Sequence, residues 1–170
     1  MQLNEFQLRL RELFQYENGN FYWKVNKGTA KIGQKANRDG GKYNQIKFDG
    51  KRYWFHRIVF YYQYGYFPKT VDHINGNKFD NRIENLREAN YSENNSNRHI
   101  SKRNITGIKN VFWNNKKSKW TVSVENKSKN LKFVKSFDDL ELAELVAIEA
   151  RNKIHGNFAN HGYQLDGVTE

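Results

Sequence analysis

Asp72-His73 sets a carboxylate beside an imidazole; Asn85 follows twelve residues after His73, and Asn94 nine residues after Asn85. Between them run Ile74-Asn75-Gly76-Asn77 and Asp80-Asn81-Arg82-Ile83-Glu84-Asn85-Leu86-Arg87. These residue types suit hydrolysis of a phosphodiester. That reaction needs a deprotonated water, neutralised charge on the transition state and a stabilised leaving oxygen. A histidine near its ordinary pKa suits the first task. A divalent cation suits the other two, and Mg²⁺ takes oxygen ligands, usually one or two from protein with water and phosphate completing the shell. Asp72 and Asn94 are donors of that kind, for Mg²⁺ or for Mn²⁺ in its place. No spacing of the five histidines suggests a structural zinc site, and the chain has no cysteine to supply thiolates or disulfides.

Several elements must position these groups. Val71 to Ile74 reads as a strand, Asn75-Gly76-Asn77 as a turn, Leu86-Arg87 as a short returning strand, and Ser92 to Ser96 as a polar helix. Asp72 and His73 point in opposite directions on a regular strand, so a bend between them is expected if both serve one site. Asn85 is placed to bond the loop backbone through its amide and to hold His73. Asn75, Gly76, Asn77, Asp80 and Asn81 read as turn formers. His56 reads as structural among aromatics, with a second catalytic group as the alternative. His99, His155 and His161 carry no constellation.

Upstream, Leu3, Phe6, Leu10, Leu13 and Phe14 predict an amphipathic helix over 3–15. A turn at 18–20, a strand at 21–25 and a loop over 26–41 follow. Asp49-Gly50 marks a hairpin between 43–48 and 53–55, and an apolar helix runs over 57–64 and ends before Pro68. Downstream, residues 99–106 are polar and basic and read as a linker. Strands are expected at 108–113, 119–125 and 131–137. A helix then begins after Asp138-Asp139, carries Leu140, Ala143, Ala147, Ala150 and Ile154 on one face, and stops at Gly156.

The 170 residues carry a net charge of +11, which attracts polyanions, nucleic acid above all. Hydrophobic content is 37%, low for one large core, but 12 Phe, 10 Tyr and 4 Trp can build small ones. No apolar run approaches the roughly 20 residues that span a bilayer, and Met1-Gln2-Leu3-Asn4-Glu5 lacks a signal peptide's basic-then-apolar order. A soluble protein of a reducing cytoplasm is expected, with no membrane partner.

The segment from Asp72 through Asn94 resembles the HNH nuclease motif, in the bacteriophage homing-endonuclease variant whose last histidine is an asparagine. His56-Arg57-Ile58-Val59 and Tyr64-Gly65-Tyr66-Phe67-Pro68 resemble that family's lead-in. The resemblance implies an α+β protein with a ββα-metal (HNH, His-Me finger) core and N-terminal hairpin elements over 1–98, the motif lying at 71–96. It implies one divalent cation on Asp72 and Asn94 and His73 as general base. Asn85 would orient His73 or brace the loop. It also implies action on double-stranded DNA in a phage-infected bacterial cell.

From Arg98 to Lys119 there are seven Lys or Arg and no acid, which suits tracking phosphates, with Arg98, Lys102 and Arg103 at its head. Residues 107–162 resemble an APETALA2-type DNA-binding domain, three antiparallel strands packed on one helix. The marks are Gly107 to Trp113, Lys119-Trp120 and the ending Ile154-His155-Gly156-Asn157-Phe158-Ala159, although Val134-Lys135-Ser136-Phe137 replaces the family's usual Leu-Gly-x-Phe. The resemblance implies a sheet face in the major groove. Lys109, Lys117, Lys119 and Lys132 are then candidates for phosphate contact, and Asn110, Trp113 and Thr121 for bases or sugars. Residues 163–170 read as a tail.

The leading expectation is a site-selective endonuclease of phage homing type. The alternatives are a DNA-binding regulatory or packaging-associated protein with an inactive nuclease remnant, and a nonspecific nuclease. Target sequence, oligomeric state and the number of strands cut are not legible; a monomer with one site suffices for a nick.

Overall fold

The computed structural model describes residues 3–37, 41 and 43–162. Met1-Gln2, the part of the expected loop at 38–40, and the tail at 163–170 lie outside the described residues. The chain mixes helices with small antiparallel sheets and divides into two compact units, Met1–Asn90 and Tyr91–Glu170.

The first unit opens with α1 (Glu5–Leu13). Asn4 caps it, accepting from Gln7 N, while the Gln7 side chain accepts from Asn4 N, a reciprocal capping box. The expected helix over 3–15 is shorter, because Phe14 starts β1 (Phe14–Glu17), which pairs with β2 (Asn20–Trp23) about Asn18-Gly19. Phe14 fits either the helical apolar face or strand alternation. The strand prevails, and Phe14 packs its ring on Phe21 with centroids 5.6 Å apart. β3 (Gln45–Phe48) and β4 (Lys51–Trp54) form the expected hairpin. Asp49 and Gly50 both take positive φ, 44° and 78°, as a two-residue type I′ turn requires.

Helix α2 (Phe55–Tyr64) follows directly and is stopped by Gly65 in the left-handed conformation, three residues before Pro68. Its buried face, Phe55, Ile58, Val59 and Phe60, joins Leu10, Phe14, Phe21, Ile46 and Phe48 in one aromatic-rich core. Val71 and Leu86 reach the same core from β5 (Thr70–His73) and β6 (Leu86–Ala89), the paired strands that carry the candidate site.

The second unit begins with the short helix α3 (Tyr91–Ser96). A sheet of β7 (Val111–Asn114), β8 (Lys119–Asn126) and β9 (Leu131–Phe137) follows, in that order and antiparallel. Helix α4 (Leu140–His155) is capped by Asp139, which accepts from Leu142 N at 2.6 Å. Ala143, Ala147, Ala150 and Ile154 lie on Val111, Val122, Val124 and Phe137. The 99–106 stretch has no helix or strand, but Asn104 Nδ2 donates to Ile108 O and Thr106 Oγ1 to Val111 O, tying its end into this unit. Among the described residues, no helix is long and apolar enough to cross a membrane.

Candidate active site

Strands β5 and β6 pair Asp72 with Arg87 and His73 with Leu86. The ladder runs unbroken through both site residues, so the bend expected between them is not in the strand. The chain turns only after His73, whose carbonyl accepts from Gly76 N at 2.8 Å. Asp72 and His73 are both buried. Arg87 donates to Asp72 Oδ2 through Nε at 2.8 Å and lies 2.7 Å away through Nη2.

The 74–85 loop is held by its own polar side chains, which explains its density of Asn and Asp. Asn85 Oδ1 accepts from Asn75 N at 3.0 Å, and Asn85 Nδ2 donates to Asn75 Oδ1 and to Asp80 O. Asn85 thus ties the two ends of the loop together. Asp80 in turn accepts from Arg82 Nε and Nη2, and this contact holds the carboxyl below the usual carboxylate range.

The His73 ring meets a residue that reads from sequence as a turn former. Its Nε2 lies 3.1 Å from Asn81 Oδ1. Asn81 is 2% exposed, and its Nδ2 donates to Phe79 O. On α2, the His56 ring lies 5.2 Å from the His73 ring, edge on, and Tyr43 lies 5.3 Å from His56. Burial lowers the pKa of His73, partly offset by the Asn81 hydrogen bond and by Asp72. Burial, then repulsion from His73 and Arg57, pushes His56 down to about 3. Both rings are therefore neutral at physiological pH, the form in which an imidazole accepts a proton. The sequence signal for Asn81 was its place in Asp80-Asn81-Arg82, which turn chemistry alone also explains.

Asn94 lies half-buried on α3, in the second unit. Within that unit α3 is anchored by Ser92 Oγ on Asn126 Oδ1, by the Ser96 Oγ–His155 Nδ1 contact at 3.0 Å, and by Lys109 Nζ on Ser96 O. Among the described residues no group of three or more His, Cys, Asp or Glu could hold a metal ion. A buried carboxylate such as Asp72 is an oxygen donor of the kind that suits a hard cation that keeps most of its waters, as Mg²⁺ does.

The candidate DNA contacts divide. Val111, Val122 and Val124 face α4, so strand alternation puts Lys119, Thr121 and Lys132 together on the opposite sheet face. There Lys119 pairs with Asp138 at 2.9 Å, and Thr121 shares a hydrogen bond with Ser136. Trp113 lies on the helix side, edge on to Trp120 with centroids 4.8 Å apart. The Lys109 ammonium is committed to the carbonyls of Ser96 and Arg98, and burial lowers its pKa to about 8. Asn110 takes φ 68° and donates to Ser123 O, a turn role. Arg98, Lys102, Arg103 and Lys117 are exposed.

Residues 53–96 match the HNH endonuclease family. The chain is also 36% identical over 93 residues to protein 3.8 of Escherichia phage T7, an alignment covering 52% of this chain and 72% of that protein. No solved structure matches the chain.

Proposed function

We propose, from the premise that this chain belongs to the family of protein 3.8 of Escherichia phage T7 and carries an HNH endonuclease domain at 53–96, that it is a divalent-cation-dependent endonuclease hydrolysing phosphodiesters in duplex DNA. We assign it the site-selective, homing type. The observation that carries the reading is a buried His73 beside Asp72, inside the matched segment and followed by the Asn85-braced loop. In this reading His73 takes the proton of the attacking water. Asp72 and Asn94 would hold the cation, which would neutralise phosphate charge and stabilise the leaving oxygen. Asn85 keeps the loop closed over His73, and Arg87 fixes the Asp72 carboxylate. The face of the second unit's sheet bearing Lys119 and Lys132 lies on the duplex, in the manner of an APETALA2-type domain, while the buried Thr121 stays bonded to Ser136 beneath it. The +11 charge supports a polyanionic substrate.

Plasmid cleavage with Mg²⁺ or Mn²⁺ tests the proposal. Cutting is expected from the wild type and lost in His73→Ala and in EDTA. Cutting that survives both would overturn the assignment of the base and the cation. DNA binding without cutting under any condition would favour a regulatory or packaging-associated protein instead.

A further inference from the structure

We infer that Asn81 is a positioning residue that holds His73 in its Nε2–H tautomer, so that the ring nitrogen available to take a proton is Nδ1. The inference rests on His73 being the base proposed above. It starts from the Asn81 amide. Asn81 Nδ2 donates to Phe79 O at 3.1 Å, and a carbonyl only accepts. The amide is therefore oriented by its surroundings, and the atom 3.1 Å from His73 Nε2 is an oxygen. An amide oxygen also only accepts, so Nε2 must carry the hydrogen. A neutral imidazole has one N–H, which leaves the lone pair on Nδ1. The opposite tautomer would set two acceptors against each other where both residues are buried, a costly arrangement away from water.

Asn81 is itself held by the N-terminal hairpin, which lies outside the matched segment 53–96. From β1, the Tyr16 hydroxyl donates to Asn81 O at 3.1 Å and accepts from Ile83 N at 2.9 Å. At the hairpin turn, Gly19 presses against the same backbone. A Cβ there would lie 2.8 Å from Arg82 N and 3.1 Å from the Asn81 carbonyl carbon. The β1–β2 hairpin, the Asn81 backbone and the His73 ring thus form one chain of contacts. It gives the hairpin a role in orienting the base that its sequence does not display.

The test is ¹⁵N NMR of the histidine rings of the full chain near neutral pH, with steady-state cleavage in parallel. Wild-type His73 is expected as Nε2–H. In Asn81→Ala the tautomers should mix and kcat fall roughly tenfold or more, with KM for DNA changed far less. Asn81→Asp keeps an acceptor in place and, read at a pH high enough that the ring is neutral, should retain Nε2–H as its one N–H; it also decides the matter if the Ala protein does not fold. Nδ1–H in the wild type or in Asn81→Asp overturns the inference. So does an Asn81→Ala protein that keeps Nε2–H, or one whose tautomers mix without loss of kcat. A wild type that shows the Asn81-dependent tautomer but cuts no DNA would sink the nuclease assignment and leave the positioning contact standing.

Discussion

Arg87 stands opposite Asp72 in the β5–β6 ladder and meets its carboxylate oxygen Oδ2 through both Nε and Nη2. The Asp72 side chain is 5% exposed and that of Arg87 18%, so the pair is largely desolvated. Removing one partner of such a pair strands the other charge, whereas an exposed pair contributes little. Arg87→Ala should therefore cost about 3 kcal/mol, read as a lower urea midpoint with an unchanged slope. Lys at this position cannot reproduce the planar fork and should recover only part of the loss.

Asn85→Ala removes three hydrogen bonds that close the 74–85 loop. The stranded Asn75 N–H and Asp80 carbonyl should cost roughly 1–3 kcal/mol. Amide exchange should quicken first at Asn75, whose N–H donates to Asn85 Oδ1. Exchange that quickens uniformly across the unit would show that Asn85 stabilises the core and not the loop.

Gly19 sits at φ 76° with the Arg82 backbone against it. Gly19→Ala adds left-handed strain, about 1 kcal/mol, to a clash that only backbone movement relieves. A lower melting temperature is expected, together with a perturbed His73 ring signal. Loss of stability with an unaltered His73 signal would uncouple the hairpin from the base.

His56 faces Tyr43 and His73, with the Arg57 charge nearby, and its folded pKa lies at about 3. The unfolded chain, with a histidine pKa near 6.5, binds the extra proton across the whole interval. Stability from this group is thus full above about pH 6.5 and is lost as pH falls toward about 3. His56→Phe should flatten the stability curve in that window and leave it unchanged above pH 7. Urea midpoints measured along a pH series check this directly.

Lys119 and Lys132 share the sheet face turned away from α4. If that face lies on DNA, replacing both by Ala should weaken binding and reduce the slope of log K against log salt by about 1 to 2. Lys109→Ala should instead loosen the second unit, because its ammonium holds the carbonyls of Ser96 and Arg98. An unchanged slope in the double variant would remove this face from the interface. These point variants are cleaner than deleting 107–170, which would also strip α3 of its anchors on Asn126 and His155.

By itself the sequence determined the chemistry on offer and most of the local structure. Asp72-His73, Asn85 and Asn94 all fall within the segment that matches the HNH endonuclease family. Asp49-Gly50, Asp139 and Gly156 marked a turn and two helix ends, because such signals act over a few residues. Only tertiary structure decided which polar groups meet. Arg87 is fifteen residues from Asp72, and Tyr16 is sixty-five from Asn81. Neither contact has a local signature. Asn81 shows why: in sequence a buried acceptor and a turn-forming asparagine look the same, and only packing makes the amide choose between water and His73. Phe14 makes the same point for the backbone. Its apolar side chain served helix and strand equally, and pairing with Trp23 settled it.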